Sequence, residues 1–216
     1  MRTTVAWIVL VLGASLLWPA AASSQTWNFE DADLGQLPDG WQAAKTGAGK
    51  GSVWKVVEDK SAPSGARVLA QTAQGPGPLF SLCIATATKL HNLELSVAFK
   101  AVDGKIDQGG GVVWRLVDAN NYYIARYNPL ESNFRLYKVV DGKRMQLATK
   151  EKLTAPAGEW HRLSIGMQGD AIRCSLNGTT LLEAKDATFA QAGKIGLWTK
   201  ADAQTYFDKI EAKEIK

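Results

Sequence analysis

The sequence predicts an all-β fold in which two antiparallel sheets pack as a sandwich. Within residues 93–101 apolar and polar side chains alternate, so one face of the predicted strand is apolar and the other is polar. Short segments of this kind recur along the chain at intervals of roughly 8–12 residues, a spacing typical of antiparallel sandwiches. No amphipathic segment is long enough to form a major helix.

The segments and their turns predict about a dozen strands. Those with the clearest pattern are 93–101, 112–117, 122–127, 134–139, 160–167, 171–176, 179–183, 194–199 and 205–212. Asp141-Gly142 and Asn177-Gly178 are typical of type I′ hairpin turns, in which both central residues need a positive φ. Residues 186–190 are predicted to form a single helical turn. The segments 27–30 and 206–210 are both strand-like, and we expect them to pair and fasten the domain.

The first 22 residues have the pattern of a secretory signal peptide. Arg2 supplies a positive charge, an apolar run extends from Val5 to Trp18, and small residues follow at 20–23. The apolar run of about 14 residues is shorter than the roughly 20 that span a bilayer, which favours cleavage over a membrane anchor. We therefore expect an exported protein, periplasmic or extracellular, with one domain at 27–214.

Composition and charge exclude several function classes. The chain is 46% hydrophobic and 21% charged, as in globular proteins. Its net charge is +4, but opposite charges alternate, so no basic arm for nucleic acid is present. Two histidines and two cysteines cannot form a compact zinc cluster. The sequence also lacks a nucleophile elbow and a phosphate-binding loop.

The two cysteines allow a disulfide bond in an exported protein. Cys83 lies on the strand face opposite to Phe80, Leu82 and Ile84, whereas Cys174 shares the apolar face of its own strand. These opposed faces argue against a bond, and the pattern leaves both the bonded and the free state open.

Several segments together resemble one superfamily. They are Gly109–Arg115, Asn120–Tyr123, Gly158–Leu163, Leu176–Gly178 and Gly193–Thr199. This order of elements resembles bacterial exported domains with a concanavalin-A-like jelly roll, and it is most similar to the 3-keto-disaccharide hydrolase group and to laminin-G-like domains. The resemblance covers 27–214 and implies an antiparallel two-sheet jelly-roll sandwich. The superfamily includes sugar-binding modules, glycosidases and adhesion domains, so the fold alone does not decide the function.

A glycosidase activity needs paired carboxyl groups. In retaining enzymes they lie about 5–5.5 Å apart, and the glycoside hydrolase family 16 members with this fold place them in a Glu-x-Asp-x-Glu strand motif. This sequence has no such motif. The pairs Asp31/Asp33 and Glu58/Asp59 are interpreted as loop or edge residues, and Glu131 is expected to lie in a loop without a partner. Carboxylates distant in sequence can still converge, so catalysis stays open.

A set of aromatic, arginine and asparagine side chains forms the predicted ligand site, because sugars stack on rings and bond to fixed donors. Its members are Arg115, Tyr123, Arg126, Asn128, Arg135 and Tyr137. Arg135 and Tyr137 share the strand face opposite Phe134 and Leu136, which predicts that they point out of the sandwich. Tyr123 and Arg126 lie on opposite faces of their strand. The alternative is that these rings brace the sheets while the arginines pair with carboxylates.

A structural calcium ion is a further hypothesis, since jelly-roll domains can hold one where terminal strands meet. Asp31, Asp33 and Asp208 are the candidate oxygen donors. The alternative is that Asp208 caps a strand end. No other cofactor is expected. His161, which alternates with Leu163 and Ile165, is predicted to be a packed or edge histidine, the alternative being a general base. Trp27, Trp41, Trp54 and Trp198 are predicted to plug the core or its edges.

The leading functional hypothesis is an exported domain that binds a carbohydrate or polysaccharide, with neither a nucleic-acid partner nor a stable membrane anchor. Two alternatives remain. One is a glycoside-processing hydrolase of the 3-keto-disaccharide hydrolase type, which the resemblance implies. The other is a structural or adhesive module of the laminin-G-like type.

Overall fold

A computed structural model describes residues 24–216, and this part of the chain forms fifteen β-strands. They are β1 Ser24–Trp27, β2 Trp41–Thr46, β3 Trp54–Glu58, β4 Arg67–Gln71, β5 Phe80–Leu90, β6 Leu93–Asp103, β7 Gly110–Asp118, β8 Asn121–Asn128, β9 Asn133–Val140, β10 Lys143–Glu151, β11 Trp160–Gln168, β12 Ala171–Leu176, β13 Thr179–Lys185, β14 Gly193–Lys200 and β15 Gln204–Glu214. The predicted signal peptide lies outside the described residues. Within 24–216, no helix has the length and apolar character needed to cross a membrane.

The strands form two antiparallel sheets. The back sheet has the order β13-β12-β11-β6-β15-β4-β3, and β1 pairs with the end of β15. The front sheet has the order β10-β9-β8-β7-β14-β5-β2. Trp27 lies opposite Ile210 in the β1–β15 pair, so the expected pairing of the first and last strands is confirmed.

The main hydrophobic core lies between the two sheets. Phe99 of β6, Leu163 of β11 and Phe207 of β15 enter it from the back sheet, and Trp114 of β7 enters it from the front sheet; all four are fully buried. Alternating side chains produce this arrangement, because every second residue of a strand points to the same side. The predicted apolar face of 93–101 is therefore the core face of β6.

The front sheet is strongly curled. Arg144 of β10 lies with its Cζ atom 5.0 Å from the ring centre of Phe80 on β5, although four strands separate β10 from β5. In a flat sheet these two strands would be about 24 Å apart. Thr46 of β2 likewise reaches the Tyr122 hydroxyl of β8, at 2.6 Å. The outer face of the front sheet is consequently a concave face.

A second hydrophobic cluster lines part of this concave face. Its buried members are Phe80, Leu82, Ile84, Val113, Leu116, Tyr122, Ile124, Val139 and Trp198. The front sheet therefore has apolar side chains on both faces, with the main core on one side and this cluster on the other.

The structure confirms both predicted hairpin turns and corrects the predicted helical turn. Asp141 and Gly142 have φ values of 50° and 76°, and Asn177 and Gly178 have values of 49° and 82°. Residues 186–190 form no helix. The Asp186 carboxylate accepts a hydrogen bond from the Thr188 backbone N–H at 2.9 Å, a local bond that competes with helix formation.

Both cysteines are free and fully buried in the main core. Cys83 faces this core because β5 is apolar on both sides, with Phe80, Leu82 and Ile84 belonging to the second cluster. The prediction that the two cysteines lie on opposed faces, one away from the core, is therefore wrong. The two thiols are nevertheless unbonded, which is the state that the sequence favoured. Burial raises the pKa of both thiols.

Candidate functional site

Four of the six predicted ligand residues lie on the concave face. Arg126 and Asn128 of β8 and Arg135 and Tyr137 of β9 alternate with core residues along their strands. Arg126 is directly opposite Arg135 in the β8–β9 pair, which places both guanidinium groups over the same part of the sheet. The expectation that Arg135 and Tyr137 point out of the sandwich is confirmed, since Phe134 and Leu136 lie in the core.

Glu131, which the sequence leaves in a loop without a partner carboxylate, connects these side chains. Its Oε2 atom accepts hydrogen bonds from Arg126 Nη2 at 2.7 Å, from Asn133 Nδ2 at 3.2 Å and from Arg135 Nη1 at 3.4 Å. The short connection between β8 and β9 folds the loop carboxylate over the outward side chains of both strands. A loop position in the sequence does not reveal this.

The electrostatics of the cluster keep Glu131 ionised. Burial raises the pKa of this carboxyl group, but the charges and hydrogen bonds of Arg126, Asn133 and Arg135 outweigh burial and hold the pKa below its usual value. At neutral pH the group is a carboxylate. It can accept hydrogen bonds from a ligand, but it is poorly suited to donate a proton.

Arg135 and its neighbours present polar groups to solvent. The Tyr137 oxygen accepts from Arg126 Nη2 at 3.3 Å and from Arg135 Nη1 at 3.5 Å, so its own O–H remains available to donate. Arg135 Nη2 also donates to the Glu151 carboxylate at 3.2 Å. The side chains of Arg135 and Glu151 are 27% and 48% exposed, which makes this edge of the cluster accessible.

Asn128 has a structural role beside the cluster. It is fully buried, and its Nδ2 donates to Asp107 Oδ1 at 3.1 Å, while Lys200 Nζ donates to Asp107 Oδ2 at 3.2 Å. Asp202 fixes the same loop by accepting bonds from the backbone N–H groups of residues 105–107. Asn128 therefore positions the loop at the rim of the face, and solvent reaches the partly exposed Lys200 and Asp202.

Arg115 does not join the cluster. The prediction that it belongs to the ligand site is therefore wrong. It has a φ of 44° at a bulge in β7 and is almost fully buried. Its guanidinium group donates to the backbone oxygens of His91, Gly169 and Phe189 at 2.8–3.0 Å. Arg115 thus fastens three connecting segments at one end of the sandwich.

Tyr123 likewise belongs to the core and not to the concave face. Its ring stacks on Trp114 with 5.6 Å between ring centres, and its hydroxyl donates to Asp186 Oδ1 at 2.7 Å. Burial raises the pKa of Tyr123 to about 12. The alternation that placed Tyr123 and Arg126 on opposite strand faces is confirmed, and Tyr123 takes the core side.

The three calcium candidates do not converge. Asp208 is fully buried, and its carboxylate accepts from the backbone N–H groups of Ser64 at 2.8 Å and Lys209 at 2.6 Å. Asp31 and Asp33 line a surface groove beside the β1–β2 connection. Among residues 24–216, no group of three or more histidine, cysteine, aspartate or glutamate side chains is placed to hold a metal ion. The alternative that Asp208 caps a strand end is wrong in its position, because Asp208 lies within β15 at a register shift and binds backbone N–H groups there.

The remaining aromatic predictions agree with the structure. His161 is buried, its Nε2 lies 2.8 Å from the Pro156 oxygen, and its ring packs 5.9 Å from that of Phe99. Trp41, Trp54 and Trp198 are buried, and Trp27 packs on the main core.

The two sheets, their strand order and the curled front sheet define an antiparallel jelly-roll sandwich. The chain belongs to the family described as the 3-keto-alpha-glucoside-1,2-lyase-like domain, whose model matches residues 29–213. This confirms the resemblance to the 3-keto-disaccharide hydrolase group. None of the curated proteins matches the sequence.

Solved structures share the fold at low sequence identity. The carbohydrate-binding module CBM66 from Bacillus subtilis superposes with a TM-score of 0.65 at 17% identity, over 81% of this chain and 96% of that chain. The β-glucanase of Bacillus licheniformis superposes with a TM-score of 0.59 at 12% identity, over 89% of this chain and 98% of that chain. At these identities the likeness establishes the architecture.

Proposed function

We propose that this chain is an exported domain that binds carbohydrate on its concave face. The observation that carries the proposal is the hydrogen-bonded cluster of Arg126, Glu131, Arg135 and Tyr137, whose outer edge is open to solvent. A sugar ring offers hydroxyl groups that both donate and accept, and such a cluster offers both partners at fixed positions. The fold shared with a carbohydrate-binding module supports this proposal.

The cluster is preorganised for binding. Arg126 is 1% exposed and bonds to Asn133, Glu131 and Tyr137, so its orientation is fixed before a ligand arrives. Arg135 is held between the carboxylates of Glu131 and Glu151. A ligand hydroxyl at this edge would accept from Arg135 and donate to Glu151, and little conformational entropy would be lost on binding.

The test is binding to an Arg135→Ala variant. After a glycan array has identified a sugar, calorimetry with the wild type and Arg135→Ala should show affinity lower by about 1–3 kcal/mol in the variant, the size of a lost charged hydrogen bond. Folding stability should change little, because the side chain points away from the core. Tyr137→Phe is the companion variant, since it removes the hydroxyl and keeps the buried ring.

Arg173→Ala is the matched control, because Arg173 is an exposed arginine on the back sheet. It should retain wild-type affinity. Wild-type affinity in Arg135→Ala would contradict the proposed site, and the absence of any sugar that binds would contradict the proposed function.

Export is part of this proposal and rests on the pattern of residues 1–22. Mass spectrometry of protein recovered outside the cytoplasm should give an N-terminus within a few residues of Ser23. Recovery of protein that still begins with Met1 would argue against export by cleavage.

A second candidate, cleavage of a 3-keto-glucoside by elimination, is favoured by the family and by an ionised carboxylate beside two arginines. In that reaction Glu131 would remove the proton at C2, and the C1–O bond would break. The electron pair would leave with the glycosidic oxygen, which takes up a proton, and a C1=C2 double bond conjugated to the C3 ketone would form. Arg126 and Arg135 would stabilise the enolate charge.

This candidate ranks second because the lowered pKa of Glu131 makes it a weak base. Incubation with a 3-keto-α-glucoside should release an alcohol and an enone that absorbs in the ultraviolet, and Glu131→Gln should abolish the release. The unoxidised α-glucoside is the control substrate, because its C2 proton is not acidified by a ketone. No enone from the oxidised sugar would eliminate this candidate.

A further inference from the structure

Arg144 occupies an unusual position on the concave face. It extends from β10 across the curled sheet, and its Cζ atom lies 4.4 Å from the ring centre of Tyr137, 5.0 Å from that of Phe80 and 5.9 Å from that of Trp198. Three rings thus hold the guanidinium group beside the polar cluster described above. Aromatic faces attract a cation, but they do not neutralise its charge.

Arg144 has no bonded counter-charge among the described residues. Arg126 and Arg135 each bond to a carboxylate, whereas Arg144 forms neither an ion pair nor a hydrogen bond within 24–216. Its Nη1 atom is buried without a partner, while the side chain as a whole is half-buried and remains within reach of solvent. A buried cation without a partner is costly, so a partner of opposite charge would stabilise it strongly.

The charges of the concave face agree with this reading. The ion pairs of this face join Arg126 and Arg135 to Glu131, Arg135 to Glu151, and Lys200 to Asp107. None of these three carboxylates bonds to Arg144. The Nε atom of Arg126 is also buried without a partner, so further donor capacity lies unused on this face.

We infer that Arg144 recognises a carboxylate and that the sugar bound on the concave face is a uronic acid. The inference rests on the proposed carbohydrate binding and specifies the chemistry of the ligand. A planar carboxylate can bond to two N–H groups of a guanidinium at once, and the three rings fix the plane of that group. A neutral hydroxyl would satisfy one donor and leave the charge without a partner.

Methyl α-D-glucuronide and methyl α-D-glucoside provide the test, because they differ only in a carboxylate or a hydroxymethyl group at C5. Calorimetry at low salt should show that the wild-type protein binds the glucuronide at least tenfold more tightly than the glucoside. Arg144→Met keeps an apolar side chain against the rings and removes the charge. In this variant the preference should fall below twofold, while affinity for the glucoside changes by less than twofold.

Two further variants complete the experiment. Arg173→Met removes an exposed arginine from the back sheet and should retain the full preference. Arg144→Lys keeps the charge and loses the planar fork, so it should show an intermediate preference. If circular dichroism shows that Arg144→Met does not fold, Arg144→Lys provides the measurement instead. A glucuronide preference in Arg144→Lys equal to that of the wild type would then overturn the inference.

The outcomes separate this inference from the proposed function. Equal wild-type affinity for the two sugars, with binding that Arg135→Ala weakens, would overturn the uronic-acid assignment and leave carbohydrate binding intact. A glucuronide preference that survives in Arg144→Met would also overturn the role of Arg144. Failure of both sugars to bind the wild type would count against the proposed function and against this inference together.

Discussion

Arg115 is a buried charged residue whose role is structural. Its three donors satisfy three backbone oxygens, so Arg115→Ala would remove all three bonds and leave the buried Phe189 oxygen without this partner. We expect the free energy of unfolding to fall by about 3 kcal/mol, measured by urea denaturation. The exposed Arg173→Ala should change it by less than about 0.5 kcal/mol. Wild-type stability in Arg115→Ala would show that these bonds do not hold the loops.

Asp208 gives the stability a pH dependence of its own. Burial, with a smaller contribution from the charge of Glu30, raises its pKa to about 6, although the N–H groups of Lys209 and Ser64 act in the opposite direction. The folded state therefore holds the proton more tightly than the unfolded state, whose pKa is near 3.8. This contribution is fully present below pH 3.8 and is lost as the pH rises towards 6.

The measurement compares melting temperatures of the wild type and Asp208→Asn from pH 4 to pH 7. Asparagine cannot ionise, so the variant should gain stability relative to the wild type as the pH rises through this range. A constant difference between the two proteins would contradict the raised pKa.

Among the strands, the β12–β13 hairpin isolates the effect of backbone conformation. Gly178 has a φ of 82°, and a Cβ atom added there would meet nothing within 4 Å. Gly178→Ala should therefore destabilise the protein by about 1 kcal/mol through the positive φ alone, and Gly178→Val by more. Gly166→Ala is the control, since Gly166 lies within β11 and its added Cβ would make only an ordinary contact at 3.8 Å with Arg173. Thermal melts in which the two alanine variants behave alike would contradict this account.

The strands also show what the sequence could predict. Alternation and Asx-Gly turns depend on neighbours in the chain, so they correctly placed β9, the hairpins and the outward direction of Arg135. The environment of Cys83 could not be predicted in this way, because β5 is apolar on both faces and a single alternation pattern does not say which face meets the main core.

At the scale of the whole molecule, the front sheet lies between two hydrophobic clusters and contributes side chains to both. Leu82 lies in the concave cluster and Leu163 in the main core, and both are fully buried. Because the front sheet cannot unfold without exposing both clusters, Leu82→Ala and Leu163→Ala should each lower stability by about 2–5 kcal/mol while unfolding in one transition. Urea curves from circular dichroism and tryptophan fluorescence should coincide. Separate transitions in Leu82→Ala would indicate that the concave cluster unfolds independently.

The curl of the front sheet explains why part of the candidate site escaped prediction. Arg144 reaches Phe80 only because strands far apart in the sheet order approach each other over the concave face. No local pattern records such an approach. Glu131 was missed for a related reason, since its partners Arg126 and Arg135 become neighbours only when β8 and β9 pair.

The two buried thiols can serve as probes of how the protein opens under native conditions. Cys83 belongs to the front sheet and Cys174 to the back sheet, and neither has accessible surface. A thiol reagent can reach each sulfur only when the surrounding sheet separates from its partner, so the labelling rate of each cysteine reports how often that sheet opens under native conditions. The two labelling rates are independent measurements on one chain. Comparing them by mass spectrometry of the two labelled peptides would show whether the two sheets open together or one before the other.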